Sequence, residues 1–459
     1  MIFAGRKDEV SRLVEALKYH VNNPKSKKNM VILGIEGPGG IGKSTIIDQA
    51  EESVDYSAQG SLRIFMNGSE DISSLPDLVR KIVHAAKLDA KTSFSHREAI
   101  FPETEKALSD FNDVVKFESE KAKEANEQKK QLIAKFVKFA LGYGGPILIN
   151  FDDPYAKGIG GILKIIDAQV DEKGLVRFQD ELPGSLDKLG LSRINERNEI
   201  RDNARKVFAR TLAKDIKTLI TGYSSEDWWR PRGPKIKDCN SLTLIIDDYE
   251  KIEIIAGDFF PVHFLPQLIN FSIKSTVIIS GRDDVTLTNT AWEHHLARYF
   301  IKPSIDVGPL QYSHVEEIAK SSGVDPQTMW GDTEGYPFYM QLWVNEQRKG
   351  GDSVVTLKKF YERTTRWMTE QQKLWLEYCI FLDHINIDSL TKMTESSSEA
   401  AEILKWFENE ASIRSTTSTS YTVRSFLRKK LIEYLKARNP SRAESLSARA
   451  VEYNLMASK

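Results

Sequence analysis

The chain has 459 residues, enough for about three domains at roughly 150 residues each. Hydrophobic residues make up 41% and charged residues 28%, a globular balance that excludes whole-chain disorder. Lys plus Arg number 64 against 65 for Asp plus Glu, so bulk charge excludes a strongly basic coat for nucleic acid, although a local basic patch stays open.

Cys239 and Cys379 are too far apart in sequence to form a thiol framework or a cysteine zinc site, which fits a reducing compartment. The N-terminal MIFAGRKDEV is charged where a signal peptide is apolar, and no stretch has 18 uninterrupted apolar residues. A cytoplasmic protein with no membrane span is the expectation.

In chain order, residues 8–20 put Val10, Leu13, Val14 and Leu17 on one helical face. Met30 to Ile35 reads as a buried parallel strand, followed by a glycine-rich turn and a helix over 43–54. A second strand at 61–66 and a second helix at 74–88 continue the alternation, which predicts an α/β fold with a parallel sheet. The stretch 103–141 is rich in Glu, Lys, Ala and Gln and reads as long exposed helices, with surface solvation or partner contact as its two roles. Residues 196–220 return to helix. A Trp/Arg/Pro loop at 223–238 holds Trp228, Trp229, Arg230 and Arg232, suited either to packing or to stacking on bases. Strands are expected at Leu242–Ile246, Thr276–Ser280 and Tyr299–Ile305, with a helix over 260–272. No repeat of 20–50 residues is present.

The chemistry concentrates at Gly37-Pro38-Gly39-Gly40-Ile41-Gly42-Lys43-Ser44, which satisfies the P-loop pattern G-x-x-x-x-G-K-[ST] and is followed by Thr45. Glycines let backbone N–H groups curl round a phosphate, and the helix that begins here aims its N-terminus at the anion. Lys43 is placed to reach the β- and γ-phosphates of ATP, and the Ser44 hydroxyl to ligate Mg²⁺. The same segment contains Gly37-x-Gly39-x-x-Gly42, a dinucleotide fingerprint. That reading needs an acid ending the second strand, where Asn67 and Gly68 stand instead, with Glu70 only nearby.

The apolar run Leu242–Ile246 ends in Asp247-Asp248, the second acidic element such a site requires. Asp247 would complete the Mg²⁺ shell, and Asp248 and Glu250 compete for the role of polarising the attacking water. The strand STVIIS ends at Gly281-Arg282, which fits a γ-phosphate sensor. The long separation of Lys43 from Asp247 points to a large insertion between them.

These pieces in this order resemble the STAND class of signal-transducing P-loop ATPases, relatives of the AAA+ group. Phe3-Ala4-Gly5-Arg6 is similar to that class's element beside the adenine, with Lys7 where an acid usually sits. Gly335-Tyr336-Pro337-Phe338 resembles its G-x-P element, whose proline packs near the adenine. Residues 356–435 resemble a winged-helix domain that closes over the nucleotide. In NB-ARC relatives a histidine of that domain touches the ADP phosphates; Arg424 stands at its place here. The resemblance implies ATPase halves at 1–89 and 196–306, a mainly helical insertion at 90–195, a helical lid at 307–355 and a winged-helix domain with C-terminal helix at 356–459.

It further implies an ATP/ADP switch with slow hydrolysis, self-association, and a separately encoded effector or sensor protein, because the family's effector and sensor domains are not recognised in this sequence unless the 90–195 insertion is one of them. A bacterial or archaeal defence or signalling system is the implied setting. The alternative is an AAA+-like DNA-dependent ATPase of origin-binding or loader type, whose winged helix grips DNA. The basic stretch Arg424–Lys430 is read as a phosphate-backbone contact or a solvated helix face. Trp367 and Trp375 are expected in the winged-helix core, and His294 and His295 as surface or core residues rather than ligands.

Overall fold

The computed structural model describes residues 5–24, 26–94, 100–120, 196–222, 236–366, 368–408, 410, 413–416 and 421–457. The Trp/Arg loop at 228–232, Phe3, Trp367 and most of the 90–195 insertion lie outside the described residues.

Five strands, β1 (Met30–Glu36), β2 (Ser61–Asn67), β3 (Ser241–Asp247), β4 (Lys274–Ser280) and β5 (Ile305–Asp306), form one sheet in the order β2-β3-β4-β1-β5. Every pairing is parallel. Because β4 lies between β1 and β3, the loops leaving β1, β3 and β4 open at the same sheet end, side by side. Sequence elements far apart thus meet at the carboxyl ends of three adjacent strands, where open α/β sheets bind ligands.

Alternate residues of each strand feed two cores, as a period-2 side-chain pattern requires. Met30, Ile32, Leu244, Ile246, Val277 and Ile279 face a core shared with helices Leu75–Phe94, Pro102–Glu120 and Glu196–Thr221. Leu33, Ile35, Ile245 and Ile278 face a second core with helices Lys7–Leu17 and Lys43–Glu52. That second core runs without a break through Tyr336, Trp343 and Phe360 into Leu376, Ile403, Phe407 and Leu431 of the C-terminal region.

The boundary at 89/90 falls inside helix Leu75–Phe94, and helix Pro102–Glu120 belongs to the sheet's own core through Phe101, Ala107 and Leu108. Two strand and helix limits also differ from the sequence reading. Tyr299 ends a 3-10 turn, Phe300 bridges Ile32 of β1 and the Ile301 N–H donates to the Ile32 carbonyl; the pairing then lapses across Pro303, which has no N–H to give, and β5 itself begins at Ile305. The helix expected over 260–272 opens as a π-helical turn, Phe259–Phe264, and continues as Leu265–Asn270. Phe259, Phe260 and Phe264 are fully buried there. Among the described residues, no single helix is long and apolar enough to cross a membrane.

The C-terminal region is built from helices Glu370–Cys379, Ile387–Thr394 and Ser397–Glu408, then an antiparallel pair β6 (Arg414–Thr416) and β7 (Tyr421–Val423). Ile385 bridges Tyr421 and adds a third short rung. Reciprocal capping boxes at Thr369/Gln372 and Asn386/Ser389 fix where the first two helices start. Trp375 packs on Trp406 with ring centres 5.8 Å apart. Helices Ser425–Arg438 and Pro440–Ala457 follow.

Candidate functional site: a phosphate loop at the strand ends

The turn after β1 adopts the conformation its glycines anticipate. Gly42 has φ 103° and a hypothetical Cβ there meets open space, so the constraint is backbone conformation rather than crowding. Gly40, at φ 77°, is closed by a neighbour as well: its Cβ would come within 2.8 Å of Phe338. Helix Lys43–Glu52 starts at the end of this turn, leaving its first N–H groups, those of Lys43, Ser44 and Thr45, directed at the loop.

Lys43 is buried, and its Nζ donates to the Gly37 carbonyl at 2.7 Å and to the Pro38 carbonyl at 3.1 Å. Burial lowers its pKa, against the opposing pull of Glu250 and Asp247. The Ser44 hydroxyl donates to Asp247 Oδ2 at 2.6 Å, joining the P-loop helix to the end of β3. These are hard oxygen donors beside a phosphate loop, the donor set Mg²⁺ prefers, so the residues fit that ion.

The two acids after Asp247 separate in space. Asp248 has a left-handed backbone, φ 52°, which turns its carboxylate away to Ser69 (2.5 Å) and Lys251 (2.6 Å). Burial pushes its pKa up, but those hydrogen bonds and the Lys251 charge outweigh it and hold it below the usual range. Glu250 points the other way. Its oxygens are buried and accept no aligned hydrogen bond, and Arg282 Nε lies 2.8 Å from Oε1 as a charge contact. Burial raises the Glu250 pKa; Arg282 only partly offsets it.

Arg282 itself sits against the P-loop, its Nε 3.8 Å from the Cβ position of Gly39. The buried Ser280 hydroxyl, at the end of β4, has no hydrogen-bond partner among the described residues. Lys43, Ser44, Asp247, Glu250 and Arg282 therefore converge, and Asp248 stands at the margin.

The remaining expected residues take supporting positions. Arg6 clips the N-terminus to the site: it donates to the carbonyls of Gly308 and Ile41 (3.4 Å) and pairs with Glu9 at 3.1 Å. Gly5 leaves no room for a Cβ against His314. Pro337 opens helix Pro337–Gln347 at its first turn, where a missing N–H costs nothing. From this turn the Phe338 N–H donates to the Gly40 carbonyl at 3.2 Å, and the Tyr336 hydroxyl donates to the Gly39 carbonyl. Tyr336 was not singled out by motif, although it sits within the Gly-x-Pro element. Arg424 reaches the tip of β4, donating to the Arg282 carbonyl and to Asp283 Oδ1, both at 3.1 Å. His294 and His295 are exposed, and no cluster of metal-ligating side chains is found among the described residues.

No protein-family model matches the chain, and no curated protein matches it. Among solved structures it is similar to a Walker-type ATPase of Pyrococcus abyssi (10% identity, 94% of this chain and 96% of that one, TM-score 0.43). It is also similar to Cdc6p from Pyrobaculum aerophilum (12%, 94% and 94%, TM-score 0.34). A third is the Aeropyrum pernix ORC1 protein, solved in complex with DNA (11%, 94% and 93%, TM-score 0.36). Likeness at this level assigns no activity to the present chain.

Proposed function

We propose that this chain binds and hydrolyses ATP and that the nucleotide state sets the position of its C-terminal region, a winged-helix domain. The observation that carries the proposal is the convergence of Lys43, Ser44–Asp247, Glu250 and Arg282 at one end of three adjacent parallel strands. Lys43 would leave the Gly37 and Pro38 carbonyls for the phosphates. Ser44 and Asp247 would hold Mg²⁺, which when bound supplies charge neutralisation between phosphate oxygens. Glu250, buried with its pKa raised and parted from Arg282 as that residue turns to the phosphate, would accept the proton of the attacking water as its oxygen bonds to the γ-phosphorus and the bond to the β-phosphate oxygen breaks. Arg282 would stabilise charge on the transferred group. Phe3, Gly5, Arg6 and Pro337 are proposed to border the adenine, and Arg424 to act from the C-terminal side.

Glu250→Gln tests the assignment. Expected is ATP binding within a few-fold of the parent with turnover down by about 10²–10⁴, the range for losing a general base. Equal turnover in the two proteins would overturn it, and the same loss in Asp248→Asn alone would move the role to Asp248.

A DNA-dependent ATPase is the second reading, favoured by the helix–helix–hairpin order at 387–423, which is the arrangement of winged-helix DNA readers. Stimulation of turnover by duplex DNA, with binding that weakens steeply as salt rises, would establish it. A shape change between ADP and a non-hydrolysable ATP analogue that is indifferent to DNA favours the switch, with self-association or a separate effector protein as its output.

A further inference from the structure

Two consecutive residues at the tip of β4 face the C-terminal region with opposite charges. Asp283 takes Arg414 of β6 at 2.9 Å and Arg424, just after β7, at 3.1 Å. Arg282 is held by Glu250 at 2.8 Å and lies 3.9 Å from Glu410, which precedes β6. The side chains in this set are all largely buried, between 11% and 24% exposed. Charge pairs removed from solvent to this degree are screened less than surface pairs, and breaking one partner leaves the other uncompensated.

We infer that Asp283 is a positioning residue that latches the β6–β7 hairpin against the phosphate site and releases it when Arg282 is drawn to a γ-phosphate. Two arguments carry this. Arg282 and Asp283 are sequence neighbours on one short turn, and the guanidinium already lies against Gly39, so a shift of that turn as Arg282 exchanges Glu250 for a γ-phosphate carries the Asp283 carboxylate with it. Arg424 donates to the Arg282 carbonyl in addition to Asp283, so the hairpin grips the backbone that has to shift. The hairpin thus reads the nucleotide through Arg282. This rests on the nucleotide-switch reading above and names its mechanical link.

The test uses the full chain without nucleotide, by small-angle X-ray scattering, and its ADP complex, by release of a fluorescent ADP analogue. Arg414→Glu, which sets two carboxylates against each other, is expected to expand the scattering profile and to speed analogue release by about tenfold, a 1.4 kcal/mol change. Adding Asp283→Arg, which restores an opposite-charge pair with position 414 but sets a cation against Arg424, is expected to return the profile part of the way towards the parent's. Should Arg414→Glu fold poorly by circular dichroism, Arg414→Gln and Asp283→Asn carry the same expectation at smaller size. A variant profile superimposable on the parent's overturns the latch. Failure of the parent chain to bind any adenine nucleotide would instead defeat the ATPase reading, and the nucleotide-free scattering comparison would still decide the latch.

Discussion

Lys43, Glu250 and Glu36 show how burial sets the behaviour of single side chains at the strand ends. Lys43 is held by two loop carbonyls, and its loss removes both a charge and the loop's internal tether. Lys43→Ala should lower kcat/KM for ATP by about 10²–10³, the scale of one lost transition-state contact, measured by phosphate release. Glu36, the last residue of β1, has its pKa pushed up to about 7 by burial, helped by Asp284, Asp306 and Asp283, and opposed by Lys302. A carboxylate raised in the folded state contributes fully below its ordinary value near 4.5 and loses that contribution as pH rises through about 7. Glu36→Gln should therefore gain on the parent above pH 7. The gain is about 1 kcal/mol once solvent screening at this half-buried site is counted, read as a difference in urea midpoint at pH 5 and pH 8. An equal offset at both values would remove the ionisation from the explanation. The turn and the start of helix Lys43–Glu52 were legible in sequence because glycine sets the local backbone geometry there. The opposite directions taken by the Asp248 and Glu250 side chains were not, because they turn on one positive φ that no residue pattern announces.

At the scale of elements, β1, β3 and β4 were readable as apolar runs, since strands buried on both faces need no polar alternation. The stretch Tyr299–Ile305 pairs with β1 at Phe300 and Ile301 and again at Ile305, and the gap between is hidden from periodicity, which carries no information about which N–H groups find partners. The contact of the segment opening helix Pro337–Gln347 with the phosphate loop was also hidden, resting on the Tyr336 hydroxyl and the Phe338 N–H. Tyr336 stacks on Phe426 with centres 4.7 Å apart at 11°, so the loop, the start of helix Pro337–Gln347 and helix Ser425–Arg438 share one column. Phe426→Ala should cost about 3–5 kcal/mol as a buried aromatic truncation, measured by chemical denaturation. Tyr336→Phe keeps the stack and removes only the hydroxyl bound to Gly39, and should cost about 1 kcal/mol. Helix Ser397–Glu408, which would enter a DNA groove, presents Glu402 and Glu408 beside Lys405 on its exposed face. If DNA is bound, reversing Glu402 to Lys should strengthen it; weakening would place DNA on that acidic face by some other contact.

Across the whole molecule, the core on one side of the sheet continues into the C-terminal region, while the ionic set around Asp283 meets it at the sheet's end. An unbroken apolar core favours the docked arrangement, and a charge set placed beside the phosphate loop supplies a way to disturb it. The pairing of Asp283 with Arg414 and Arg424 was not legible in sequence, because those contacts join distant segments and involve residue types that occur everywhere on protein surfaces. The central claim is that the strand-end cluster is a working ATPase site. It is tested most directly by phosphate release from ATP with magnesium, comparing the parent chain with Lys43→Ala and Glu250→Gln. The account predicts release from the parent only, with ATP still bound by Glu250→Gln; equal release from all three proteins would contradict it.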